Sequence, residues 1–126
     1  MKKTMLFVGF AMAAHWANAQ FIDGNQLSIW AQAHERYTQK KIANQDEVYS
    51  TMFLGYIMGS YDANRSAFCS PNGLTSRQLM GVVNNYLNAN PEKWHRAADE
   101  IIILAINESF PCPKQKNDLP KFKPVK

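Results

Sequence analysis

The sequence predicts an all-α domain, a compact bundle of four main helices closed by one disulfide. Three observations predict it. Apolar residues recur at three- and four-residue spacing in four separate stretches; glycine, proline and asparagine fall between those stretches; and two cysteines, Cys69 and Cys112, follow an export signal. No segment has the strict alternation of a strand, and Ile101-Ile102-Ile103 lies in a helical context.

The first helix is predicted from about Asn25 to Gln39, after an Asp23-Gly24 turn, with Leu27, Trp30, Ala31, His34 and Tyr37 on one face. The second is predicted from Asp46 to Arg65, with Asp46 as N-cap. Its apolar residues (Val48, Met52, Phe53, Tyr56, Ile57, Ala63) wrap more than one face, which makes it the expected central helix. The third begins after Thr75, whose partner Gln78 three residues on completes a capping-box pattern, and buries Leu79, Val82, Val83, Tyr86 and Leu87. Asn88-Ala89-Asn90-Pro91 breaks the chain. The fourth is predicted from Pro91, tolerated in a first turn, to Phe110, burying Trp94, Ala98, Ile101, Ile102 and Ala105.

Residues 1–19 read as a cleaved signal peptide. Lys2 and Lys3 form a positive start, Met5 to Ala14 an apolar core, and Ala17-Asn18-Ala19 a small-x-small cleavage site, so the mature chain is expected to begin at Gln20. The apolar run is too short to cross a bilayer, which takes about 20 residues, and His15 and Trp16 interrupt it. The remaining 107 residues make one domain, residues 20–113, and a tail, residues 114–126. In an oxidising compartment Cys69 and Cys112 read as one disulfide, contributing about 4 kcal/mol for a loop of this length. They lack the close Cys or His spacing of a metal site, and no cofactor is expected.

The formal charge of +4 is unevenly placed. Lys2 and Lys3 leave with the signal, so the mature chain carries +2; five lysines against Asp118 make the tail +4, and the body from Gln20 to Pro113 is −2. A basic, proline-containing flexible tail on an exported chain argues against nucleic acid, whose binders concentrate charge on a folded face. No later segment is long or apolar enough for stable membrane insertion.

Catalytic patterns are missing: there is no GxSxG, HExxH or phosphate loop. His95 and Asp99, four apart, are expected to form a helix-surface hydrogen bond. Gly55 and Gly59 make a smooth stripe that admits close approach, either inside the domain or at a dimer interface. Tyr56 and Asp62 flank it, and a buried Tyr56 needs a hydroxyl partner.

Several of these blocks together resemble a known family. Gly55-Tyr56-Ile57-Met58-Gly59-Ser60-Tyr61-Asp62-Ala63 resembles a GYxxGxxDA motif, and Phe68-Cys69-Ser70-Pro71-Asn72-Gly73-Leu74-Thr75 with Gln78-Leu79, Val82-Val83 and Tyr86-Leu87 resembles its second block. With Gly24-Asn25, Pro91-Glu92, His95, Ala98 and Phe110-Pro111-Cys112, they resemble the Rap/Tai immunity proteins over nearly the whole mature chain. The resemblance implies a periplasmic, all-helical, commonly homodimeric protein that binds and blocks a peptidoglycan amidase effector delivered by type VI secretion. It implies a toxin inhibitor rather than an enzyme, with catalytic groups unnecessary. It also implies that the connection Asn88-Ala89-Asn90-Pro91-Glu92-Lys93-Trp94-His95 plugs the amidase cleft, with Glu92 or His95 reaching its catalytic Cys and His; the same stretch also reads as an ordinary helix connection with Trp94 in the core. Two positions depart from the family: where many relatives carry a cysteine pair, this chain has Trp30 and Phe53, expected to touch as an aromatic pair. A periplasmic acid-stress chaperone of the HdeA-like type, also small, helical and built on one disulfide, is the alternative reading, and an enzyme is third.

Overall fold

The computed structural model describes residues 21–113. The predicted signal peptide and the predicted basic tail lie outside the described residues. Four α-helices follow one another: α1 (Gly24–Thr38), α2 (Asp46–Ala63), α3 (Ser76–Ala89) and α4 (Ala98–Ser109). Single 3-10 turns at Arg65–Ala67 and Pro91–Lys93 punctuate the connections. Among the described residues there is no strand and no helix long and apolar enough to cross a membrane. The disulfide joins Cys69, before α3, to Cys112, after α4, across a Cα–Cα distance of 5.0 Å.

Local chemistry explains the helix boundaries. Asp23 caps α1, its carboxylate accepting the Gln26 N–H at 2.9 Å, so Gly24 is helical and not part of a preceding turn. The capping box of α3 forms as read: Thr75 Oγ1 accepts the Gln78 N–H, and Gln78 Oε1 accepts the Thr75 N–H at 2.9 Å. Gly73, at φ +82°, supplies the left-handed residue of the turn before it.

The core draws on all four helices: Leu27, Trp30 and Ala31; Phe53 and Ile57; Leu79, Met80, Val83, Tyr86 and Leu87; Ala98, Ile101, Ile102, Ala105 and Ile106. The expectation for α2 needs correction. Val48 and Met52 are 53% and 46% exposed and Ala63 is exposed; the buried stripe is instead Asp46, Ser50, Phe53 and Ile57. Two of these four are polar, so the apolar pattern alone misplaces the stripe. The outer face of α2 is left apolar and uncovered by the described chain.

Asp46 is not the N-cap of α2. That position is Gln45, in the left-handed region at φ +71°, and Asp46 begins the helix with its side chain buried. Its carboxylate accepts two hydrogen bonds from Arg36, from Nε at 2.9 Å and Nη2 at 2.7 Å, and a third from the Ala43 N–H at 2.8 Å. The pair ties the end of α1 to the start of α2. First the Arg36 hydrogen bonds, then that from Ala43, hold the carboxyl below the ordinary aspartate range.

A second polar contact joins the same two helices. His34 Nδ1 lies 2.7 Å from Ser50 Oγ, and the imidazole packs on Phe53. Burial holds the half-buried ring below the ordinary histidine value, against a smaller upward pull from Glu35. The sign follows from linkage. A lowered folded value favours the neutral ring, so this contribution is fully present above the unfolded value of about 6.5 and is lost as pH falls toward the folded value. The thermal midpoint is expected to decline as pH falls from 7 to 5, and His34→Gln is expected to flatten that segment. A wild-type midpoint that is constant over this range would contradict the assignment.

Candidate functional site

The connection from Asn90 to Ala97 is ordered by three sets of hydrogen bonds; Asn88 and Ala89, expected in the break, instead complete the last turn of α3. Within itself, the Pro91–Lys93 turn closes with Lys93 N–H on Asn90 O at 3.0 Å and Trp94 N–H on Pro91 O at 3.3 Å. Onto α3, Trp94 Nε1 donates to Leu87 O at 3.0 Å and Asn90 Nδ2 to Tyr86 O at 2.9 Å. Lys93 Nζ bonds the Tyr86 hydroxyl at 3.0 Å and Asn90 Oδ1 at 2.7 Å, and the Tyr86 hydroxyl holds its ammonium above the ordinary lysine value.

The third set runs to the start of α1, 69 to 76 residues away in the sequence. Gly24 N–H donates to Arg96 O at 2.9 Å, Asn25 N–H to Trp94 O at 3.0 Å, and Ala98 N–H to Ile22 O at 3.0 Å. Asn25 Nδ2 adds a bond to Trp94 O. Glycine is required at position 24 for space: an added Cβ would lie 2.6 Å from Trp94 Cα and 2.7 Å from Trp94 O. The free N–H groups at the head of α1 thus find acceptors in the connection.

This docking corrects the predicted start of the last helix. Residues Trp94–Ala97 bond across to α1 instead of continuing the helix, which begins at Ala98. His95 therefore precedes the helix, and His95 and Asp99, both exposed, are not joined by the expected hydrogen bond. Of the six residues singled out here, Asn88, Pro91, Glu92 and His95 are exposed, whereas Asn90 and Lys93 are half-buried and engaged internally. Trp94 is half-buried against the core, so an ordered connection and a partly buried Trp94 coexist.

The glycine stripe lies elsewhere. Gly55 and Gly59 are exposed, and a Cβ built on either would meet nothing within 4 Å. No element of the described chain packs on them, which overturns tight packing inside the domain as their purpose. They floor a groove of about 380 Å³ lined also by Tyr56, Ser60 and Asp99. Tyr56 packs its ring edge-on against Trp30 at 6.0 Å, and its hydroxyl makes no hydrogen bond among the described residues. Burial first, then Asp99, raises the phenol above its ordinary value. Trp30 and Phe53 share the buried cluster, but each ring also pairs with another, Trp30 edge-on with Tyr56 and Phe53 at a tilt with His34.

The Ser50–His34 contact resembles a nucleophile and its base. Ser50 sits within α2, where neighbouring N–H groups are bound in the helix, so no donors converge on a developing oxyanion. The contact serves α1–α2 packing.

The model of the Rap1a immunity protein family matches residues 23–112. The match runs from Asp23, the cap of α1, to Cys112 of the disulfide. The chain belongs to the Rap1a immunity protein family. Searches of curated proteins and of solved structures give no match. As a Rap1a-family chain it carries its Gly24-Asn25 pair at the clamp that holds Trp94–Arg96, a role that turn chemistry alone did not suggest.

Proposed function

We propose that this protein is a periplasmic immunity protein that binds and inhibits a peptidoglycan amidase effector delivered by type VI secretion. The observation that carries the reading is the clamped connection between α3 and α4. Its backbone is bonded to α1 and its indole to α3, while Pro91, Glu92 and His95, with Asn88 in the last turn of α3, are exposed. A tip already ordered loses little entropy on docking, so more of its contact energy appears as affinity. Membership of an immunity family supports a protein partner as the target. Glu92 offers a carboxylate to a catalytic imidazolium, and His95 a ring to the same cleft.

The test is inhibition of the candidate amidase, taken from the neighbouring gene or from a periplasmic pull-down. The wild-type chain in stoichiometric excess is expected to suppress wall-peptide hydrolysis. The double variant Glu92→Lys/His95→Ala is expected to weaken inhibition by about 30-fold or more, the effect of losing roughly 2 kcal/mol at a hot spot, without changing the thermal midpoint. Undiminished hydrolysis at excess wild-type protein rejects that amidase as the target.

A homodimer is part of the same proposal, with a second copy packing on the open Gly55–Gly59 face. Gly55→Leu/Gly59→Leu has room to fold, since nothing lies within 4 Å of either position. Light scattering is expected to report a dimer for wild type and a monomer for this variant; a wild-type monomer at high concentration removes the dimer from the proposal.

A further inference from the structure

A pocket of about 440 Å³ opens between the start of α1 and the outer face of α2, with Phe21, Ile22, Asp23, Trp30, Tyr49 and Met52 in its walls. Trp30 is 7% exposed, and its Nε1–H is buried without a hydrogen-bond partner among the described residues. The other described tryptophan is satisfied, Trp94 donating to Leu87 O. A buried donor with no acceptor is unfavourable and rare, and calls for a partner group. Phe21 and Met52, 93% and 46% exposed, present large apolar surface at the same place.

The pocket wall is also part of the clamp. Ile22 O accepts the Ala98 N–H, and Asp23 pairs across to Ala97 as an isolated bridge. A polypeptide gripping the exposed tip of the connection therefore has this pocket beside it. The Asp23 carboxylate is engaged by the Gln26 N–H and the Asn25 amide, which leaves the indole N–H as the unmatched group.

We propose that this pocket receives one apolar side chain of the partner polypeptide, with an adjoining backbone carbonyl accepting from Trp30 Nε1. A peptide supplies this combination because every residue carries a carbonyl next to its side chain. The indole N–H is shielded from solvent, so a wall side chain moves aside as the carbonyl enters. The inference rests on the reading of the chain as a binder of a protein effector, and it adds a second contact surface to the clamped tip.

The experiment uses the ¹⁵N-labelled protein and N-acetyl-L-phenylalaninamide as the probe. The Trp30 indole resonance is expected to move downfield saturably while that of Trp94 stays in place. Toluene, which has no carbonyl, is expected not to reproduce the downfield movement. Met52→Glu, at a half-exposed position that leaves the core intact, is expected to weaken the probe by about tenfold or more. The same variant is expected to weaken inhibition of the amidase to a similar degree with Glu92 and His95 unchanged. A stationary Trp30 resonance, or an equal response to toluene, overturns the proposal, as does a Trp30 indole that stays bonded to a trapped water throughout. If the probe binds but wild type inhibits no amidase, the immunity reading fails and the pocket stands; if wild type inhibits and Met52→Glu inhibits equally, the pocket proposal fails alone.

Discussion

Gly24→Ala is expected to destabilise the fold by about 2–4 kcal/mol and to weaken partner binding by more than the stability loss explains. Alanine at this first helical position would on propensity alone favour α1 by up to about 1 kcal/mol. Space decides the sign. The added methyl meets Trp94 Cα and O at 2.6 and 2.7 Å, and these are backbone atoms that no rotamer change can move away. Overpacking of this kind costs about 1–3 kcal/mol, and separating the segments weakens the Gly24–Arg96 and Asn25–Trp94 hydrogen bonds, each worth about 1 kcal/mol. The connection that presents Glu92 and His95 then loses its clamp. Chemical denaturation measures the first effect. Amide exchange at Gly24, Asn25 and Ala98, the donors of the clamp, measures the second. An unchanged midpoint with unchanged protection would mean that the clamp does not hold the connection.

Asp46→Ala is expected to lower the thermal midpoint by several degrees, more than Asp62→Ala on the exposed end of the same helix. Asp46 is 1% exposed and accepts three hydrogen bonds; its removal leaves the Ala43 N–H and the Arg36 fork without their acceptor. It also frees a connection in which Lys40 and Gln45 both hold positive φ, at 58° and 71°, a conformation that non-glycine residues avoid. The pH behaviour is a separate check. The folded carboxyl is held below its unfolded value, so its contribution is present above about pH 3.9 and is lost as pH falls through the folded value. Wild type is therefore expected to lose stability in this acid range beyond the loss assigned to His34, and Asp46→Ala to lose less there, with Asp23, whose carboxyl the Gln26 N–H also holds low, keeping part of the step. Arg36→Ala is expected to cost at least as much, because it leaves a carboxylate that is only 2% exposed with the Ala43 N–H as its remaining partner, whereas the guanidinium left by Asp46→Ala is 43% exposed and reaches water.

Much of the helical framework was legible because its signals are local. The Thr75–Gln78 box and the apolar run of α4 act over one or two turns and form as expected; the stripe of α3 holds Leu79, Val83, Tyr86 and Leu87, but Met80 is buried where Val82 is only half-buried. Sequence alone starts α4 too early, since Pro91 is a good first-turn residue, yet the acceptors that Gly24 and Asn25 need lie at Trp94 and Arg96. Asp46 has the look of a cap in the sequence because aspartate before an apolar run satisfies helix N–H groups. Its partner Arg36 is ten residues back across a turn, a spacing that no helical period encodes.

The candidate site divides in the same way. The residues Asn88, Pro91, Glu92 and His95 are legible from composition and family resemblance, and they are exposed. The rigidity of the connection is not, since it comes from hydrogen bonds spanning up to 76 residues of chain. Gly55 and Gly59 read as a surface for close approach, but spacing on one helix cannot say whether another helix arrives there.

Helix periodicity, capping residues and family membership are written in the chain order, and the two half-cystines, though 43 residues apart, can be paired by count alone. Which face of α2 is covered, where the head of α1 finds its acceptors, and which carboxylate is buried depend on how the helices meet. The reason is physical. A helix satisfies its interior backbone groups within four residues, so its existence is a local matter. Its first N–H groups and its side-chain faces are satisfied only by whatever the folded chain brings to them, and here that is the connection holding Glu92 and His95.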